Sequence, residues 1–221
     1  MANGKLIVLD GLDGCGKSTQ FELVSKYLSD KIKVHPISFP DYEEPSSALV
    51  RMYLSGELSD SPSGVNAYAA SCFYAVDRYA SYKKYWEKDY KNGDLILASR
   101  YVTSNAIHQM TKLPETEWDE YLKWLYDFEY VKFELPKADK VIFLDMPIEV
   151  SQKLLSNRYD GDETKKDIHE ADLDYLYSCR KAALYAAERL NWIVISCSDG
   201  TAPYSREKIF DKIINSVSDI I

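Results

Sequence analysis

Cysteine is sparse and scattered. Its four copies, at positions 15, 72, 179 and 197, form no Cys-x-x-Cys pair, which leaves neither a zinc-site pattern nor a disulfide framework. A reducing, cytoplasmic setting is the expectation that follows. Long apolar runs are missing too. No stretch reaches about 18 apolar residues, the length a membrane-spanning helix needs. The opening Met1-Ala2-Asn3-Gly4-Lys5 carries no signal-peptide pattern. Positive charge is in deficit: 27 Lys and Arg stand against 35 Asp and Glu, a net charge of −8. A nucleic-acid backbone requires clustered Lys and Arg, so this balance argues against such a partner. Internal repeats, low-complexity tracts and interdomain linkers are also absent. Residues 1–221 therefore read as one domain.

One segment stands out against this background. Gly11-Leu12-Asp13-Gly14-Cys15-Gly16-Lys17-Ser18 fits the phosphate-binding loop pattern, and Thr19 follows it. The apolar run Leu6-Ile7-Val8-Leu9 precedes it, as a buried parallel strand would. Phe21, Val24 and Leu28 recur after it at helical spacing. Strand, loop and helix in this order cradle phosphates with backbone N–H groups at a helix N-terminus. The pattern assigns Lys17 to the β- and γ-phosphates of a nucleoside triphosphate and Ser18 to Mg²⁺. Cys15, at the helix start, has two readings: a thiol with lowered pKa, or a small residue tolerated in a tight loop. The second is preferred.

Five short apolar segments, at about 5–10, 33–39, 94–98, 140–144 and 192–196, alternate with helical stretches. The expected fold class is α/β, of the P-loop NTPase type: three αβα layers around a five-stranded parallel sheet. Ligands then sit beyond the carboxyl ends of the strands. Residues 64–91 and 117–131 each predict one helix, and Ile209, Phe210, Ile213, Ile214 and Val217 form the apolar face of the last one. The polar segment at about 157–167 joins two helical stretches, contains Gly161, and reads as a mobile lid.

Arg100 follows the third strand directly, where a planar fork would face the ligand crevice and suit a phosphate. Tyr74 and Arg78 are four apart on one helix face. They could read a base by stacking and hydrogen bonding, or simply pack together on a solvated helix; spacing alone leaves both open.

Five pieces together resemble the thymidylate kinase family. They are Asp10-Gly11-Leu12-Asp13-Gly14-Cys15-Gly16-Lys17-Ser18-Thr19-Gln20, Phe39-Pro40, Tyr74-Ala75-Val76-Asp77-Arg78, Arg100-Tyr101-Val102-Thr103-Ser104-Asn105, and Leu144-Asp145-Met146-Pro147. The loop is generic, and the later pieces are specific. The resemblance implies phosphoryl transfer from ATP to dTMP with Mg²⁺, in a cytoplasmic homodimer. It implies that Asp13 binds the 3′-hydroxyl of the acceptor, Tyr74 stacks on thymine, Arg78 donates to O4, Asn105 meets the N3 edge and Arg100 holds the acceptor phosphate. Phe39 and Ser104 belong to the same binding segments. No Ser–His–Asp set or paired carboxylates stand ready as a general base, and an ionised phosphate acceptor needs none. Another nucleoside monophosphate kinase, or a catalytically weakened relative, is the alternative.

The chain departs from the family pattern at several positions. Ser99 stands where the family usually has Asp before the arginine. Gly14 stands where some members carry Arg, which directs the search for a compensating cation to Arg158, Lys165 and Lys166 in the lid, with Arg158 favoured. His108 stands where a Tyr commonly disfavours ribose. After Phe39-Pro40 come Asp41 and Tyr42 instead of an arginine; the Tyr42 hydroxyl, or Arg51 on the next helix, is the substitute contact for the acceptor phosphate.

Overall fold

The computed structural model describes residues 3–59, 64–158 and 172–221, the side chains of Asn157 and Arg158 excepted. The lid expected at about 157–167, with Lys165 and Lys166, and also His169, thus lies outside the described side chains.

Five strands form one parallel sheet in the order β2-β3-β1-β4-β5. They are β1 (Lys5–Gly11), β2 (Val34–Ser38), β3 (Leu95–Ser99), β4 (Lys140–Asp145) and β5 (Ile193–Ser196), each within one residue of its sequence expectation. The central strand explains its composition. From Leu6 to Gly11 every β1 residue is buried, because helices cover both faces of a parallel sheet. Alternate side chains enter opposite layers. Leu6 and Val8 pack in one core with Ile96, Ala98 and Phe143. Ile7 and Leu9 pack in the other with Leu97, Ile142 and Leu144.

The second core is closed by α1 (Lys17–Ser29) and α9 (Arg206–Val217). Ile209, Ile213 and Val217 of α9 are fully buried there, with Phe210 and Ile214 packed at the margin. The first core is closed by α5 (Val102–His108), α6 (Trp118–Tyr126) and α8 (Leu173–Leu190). Buried Ala182, Ala183, Ala186 and Ala187 line one face of α8. Three further helices are α2 (Ala48–Leu54), α4 (Glu87–Lys91) and α7 (Ile148–Arg158).

Two long helical stretches differ from expectation. The first begins at Asn66, whose side chain caps Ala69 N–H, and runs through α3 (Ala67–Ser81), a π-helical segment Tyr82–Trp86, and α4. The second passes from α6 into a π-helical segment, Asp127–Lys132. A π turn widens the helix and resets which side chains face inward. Among the described residues, no helix is long and apolar enough to cross a membrane.

Candidate active site

The carboxyl ends of β1, β2 and β3 open onto two clefts that share one wall. The first is built around the phosphate loop. β1 ends at Gly11 and α1 begins at Lys17. Between them Gly14 has φ +77° and Gly16 φ +85°, the left-handed region that glycine enters without cost. Gly14 is also hemmed in: an added Cβ would lie 2.8 Å from Ser151 O and 2.9 Å from Leu155 Cγ. Helix α7 thus presses on the loop where some family members carry Arg. Lys17 Nζ is 3.3 Å from Gly11 O and 3.8 Å from Asp13 Oδ1, so an anion would find the ammonium held by weak contacts. Leu12, Asp13, Gly14, Cys15, Gly16, Lys17, Ser18 and Thr19 all line this cleft of about 610 Å³; Gly11 lies behind it at the strand end. Cys15 is buried, and burial pushes its thiol up. This supports the small-residue reading over the reactive one.

The opposite wall was not legible in the sequence. It consists of Pro203, Tyr204, Ser205 and Arg206 before and at the start of α9. Gln20 Nε2 donates to Arg206 O at 2.9 Å, joining this wall to α1. Lys208 Nζ covers the Tyr204 ring, 3.4 Å from its centroid. No phosphate-loop pattern predicts these contacts, because they come from the far end of the chain.

The second cleft, about 370 Å³, gathers Asp13, Phe39, Tyr42, Tyr74, Arg78, Arg100, Ser104, Asn105 and His108, all expected at the acceptor, but not Arg51. Asp13 lines both clefts. Arg100 adopts φ +65° directly after β3, and its N–H donates to Leu9 O at 3.0 Å. This strained backbone turns the side chain toward Asp13. Arg100 Nη2 donates to Asp13 Oδ1 at 2.6 Å, and Nη1 lies 3.0 Å from His108 Nε2. A guanidinium has no lone pair, so His108 accepts at Nε2. Burial opposes ionisation of Asp13, but Arg100 and Lys17 outweigh it and hold its carboxyl well below the usual range.

Tyr74 packs edge-on against Tyr53, with ring centroids 6.4 Å apart, and Phe39 packs against Tyr101. The Ser104 hydroxyl donates to Asp10 Oδ2 at 2.8 Å, as the Thr103 hydroxyl does at 2.6 Å. Asp10 Oδ1 accepts Gly11 N–H, so a wholly buried carboxylate locks α5 to β1. Asp77, also wholly buried, accepts Asp41 N–H and the Ser46 hydroxyl, which fixes the turn after Phe39-Pro40.

Arg78 corrects one of its two readings. It does not sit with Tyr74 on a solvated face. Only 1% exposed, it forks onto Glu129: Nε donates to Oε2 at 2.7 Å and Nη2 to Oε1 at 2.6 Å. Removing either partner would leave a buried charge, a loss of about 3–5 kcal/mol. Arg51 corrects another expectation. Its Nη1 donates to Tyr42 O at 2.8 Å and Glu44 O at 3.2 Å, so it braces the loop backbone and does not line the cleft.

Several lining or supporting residues escaped the sequence reading: Tyr53, Gln109 and Tyr175 in the cleft wall, and Asp10 and Glu129 behind it. Tyr175 stacks on His108 at an interplanar angle of 27°. His35 lies apart from both clefts, beside Asp89 and Asp94.

Known proteins resemble this chain in sequence and in fold. The family model for thymidylate kinase matches residues 9–207. A probable thymidylate kinase from Caldivirga maquilingensis is 24% identical over 213 residues, 96% of this chain and 91% of that protein. The thymidylate kinase of Mycobacterium tuberculosis is 28% identical over 184 residues, 82% of this chain and 84% of that protein. The solved structure of thymidylate kinase from Candida albicans, 18% identical, covers 99% of this chain and 93% of its own, with a TM-score of 0.72. The sheet order, the phosphate loop and the family match lead to one conclusion: this chain belongs to the thymidylate kinase family.

Proposed function

We propose that this protein transfers the γ-phosphoryl group of ATP to the phosphate of dTMP, giving dTDP and ADP. The observation that carries this reading is that Asp13 lines both clefts and is hydrogen-bonded to Arg100, which lines the second. A triphosphate on the loop would present its terminal phosphate at the wall the clefts share, and a monophosphate in the second cleft would meet it there. A phosphate oxygen of dTMP attacks the γ-phosphorus, and the bond from γ-phosphorus to the β-bridging oxygen breaks as ADP leaves. The attacking oxygen is ionised near neutral pH, since the second pKa of a phosphate monoester is about 6. The site therefore needs positive charge more than a base. Lys17 and Arg100 supply it, and Arg158 completes it from the lid.

In the acceptor cleft Tyr74 stacks on thymine, Arg78 and Asn105 meet its polar edge, and Asp13 takes the 3′-hydroxyl. Phe39, Tyr42, Ser104 and His108 complete the wall. The donor set suits Mg²⁺: Ser18 is an exposed hydroxyl on the donor cleft, and Mg²⁺ ordinarily keeps water and substrate phosphates as its other ligands. Held at Ser18, the ion would neutralise charge on the donor phosphates.

Pairing of two chains is part of this proposal. Val76 and Tyr79 on α3 and Val131 near α6 are 42%, 40% and 58% exposed, apolar surface suited to a second copy. The reducing cytoplasm is the proposed compartment. A coupled ADP-release assay with ATP, Mg²⁺ and a panel of monophosphates tests the reaction. Turnover of dTMP above AMP, GMP and dCMP is expected; equal or better turnover of any of these three would refute it.

A further inference from the structure

Behind the acceptor cleft lies a buried polar cluster that no motif announces. Glu129 is wholly buried. It accepts two hydrogen bonds from Arg78 and a third, at 3.0 Å, from Asn105 Nδ2. The same Nδ2 donates to Ser71 O at 3.2 Å. Both amide protons of Asn105 are therefore spent on protein acceptors. A flipped amide would set its oxygen against a carboxylate and a carbonyl, which repel it. Asn105 is thereby held with Oδ1 as the group it can offer the cleft it lines.

Arg78 is restrained by the same carboxylate. Its Nε and Nη2 contacts to Glu129, with Nη1 donating to Tyr101 O at 3.3 Å, fix the guanidinium plane. Its remaining N–H groups are left for the cleft. The wall thus offers a donor from Arg78 beside an acceptor from Asn105. An imide edge, with a carbonyl next to a ring N–H, complements that pair. The cytosine edge, with an amino group next to a bare ring nitrogen, opposes both members.

We infer that Glu129 is a positioning residue that sets the hydrogen-bond polarity of the acceptor cleft, so that the cleft selects an imide base over cytosine. Glu129 touches no substrate and acts through Arg78 and Asn105. The inference rests on the proposed reading of the second cleft as a pyrimidine monophosphate site. Two features make it a matter of polarity and not of packing alone. Glu129 bridges the two base-facing side chains, and it reaches them from the π-helical segment Asp127–Lys132, outside the cleft lining.

The test is steady-state kinetics with dTMP, dCMP and ATP on the whole protein and on Glu129→Gln. An amide at 129 places a donor against Arg78 or Asn105 and frees the Asn105 amide to turn. The KM for dTMP should rise by about tenfold or more with a smaller change in kcat. The KM for ATP should move by less than about twofold, and the preference for dTMP over dCMP in kcat/KM should shrink by about tenfold or more. A lowered Tm with an unchanged preference would assign Glu129 to structure alone and overturn the inference. Should Glu129→Gln fail to fold, Glu129→Asp keeps the charge and draws the carboxylate back, and the same loss of preference is expected. If neither folds, amide exchange in the unmutated protein decides: the Asn105 side-chain protons, assigned against Asn105→Ser, should be protected without nucleotide, and rapid exchange would overturn the inference. Unmutated protein that prefers dCMP would overturn the substrate reading as well; preference for dTMP that survives in the variants overturns this inference alone.

Discussion

Arg100 and Asp13 are 87 residues apart and meet at 2.6 Å, and Asp13 is common to the lining of both clefts. Each constrains the other. Arg100 meets Asp13 from a left-handed backbone, and Asp13 stays ionised because Arg100 and Lys17 outweigh the cost of burying it.

Acid should expose that pairing. Asp13 has its pKa depressed on folding, so its stabilising contribution is fully present above the ordinary carboxylate pKa, about 3.9. It fades as pH falls below that value toward the depressed one. Asp13→Asn should therefore lower stability at pH 7, and its deficit against the unmutated protein should narrow as pH drops below 4. Urea unfolding at both ends of that range measures this, and a constant deficit would contradict it.

Gly14 is tested by a single methyl group. Its φ of +77° and the 2.8 Å approach to Ser151 O both oppose a Cβ. Gly14→Ala should cost about 1–3 kcal/mol, or roughly 2–12 °C in Tm for a protein of this size. Thermal melts with and without ATP read the loss. Gly14→Arg, the residue some family members carry, should be worse because α7 blocks its path.

We propose that Arg158 acts in the transition state. Arg158→Ala should then lower kcat by about a hundredfold or more while the KM for dTMP changes little, since a charge that serves the transferring phosphoryl group acts mainly there. A rise in KM for dTMP alone would remove Arg158 from catalysis.

Ser99 ends β3 beside Arg100 and is 9% exposed. Ser99→Asp would restore the carboxylate common in the family. Its expected effect is a lower Mg²⁺ concentration at half-maximal rate, read from ADP release across a metal titration. An unchanged titration would show that this chain does not use position 99 for the ion.

The thymine methyl group is a weaker discriminator than the polar edge. A single methylene-sized group is worth about 1–3 kcal/mol in an apolar pocket. dUMP should therefore be phosphorylated with kcat/KM lower by about 10–200-fold. Equal use of dUMP and dTMP would mean that the methyl group meets no fitted surface.

Much of the architecture was written in local patterns. Apolar runs such as Leu6-Ile7-Val8-Leu9 and Leu95-Ile96-Leu97-Ala98 have no role but a doubly covered strand, and the glycine spacing marks the loop between β1 and α1. The candidate acceptor residues came from short motifs, of which Asp13, Phe39 and Arg100 follow strand ends while Tyr74 and Arg78 lie within α3, and all of them line one cleft. What escaped was whatever depends on distant packing. Tyr175 comes from α8 and Tyr204 from the turn before α9, and nothing in their neighbours marks them as cleft residues. Arg78 was equivocal for the same reason: its partner Glu129 is 51 positions away. Glu129 itself looks like an ordinary surface acid in a polar-aromatic helix, because a 3.6-residue period does not anticipate a π turn. Arg51 misled in the opposite direction, since a cation near a presumed phosphate site can equally serve backbone carbonyls.

The π turn at Asp127–Lys132 gives residue count a chemical meaning. One α-helical step is about 100° of rotation. Deleting a single residue between Trp124 and Glu129 would let the regular ladder resume and swing the carboxylate away from Arg78, although every contact named in the cleft wall would keep its sequence. Base choice in such a site is open to change by a shift of helical phase, with no substitution among the residues that face the nucleotide.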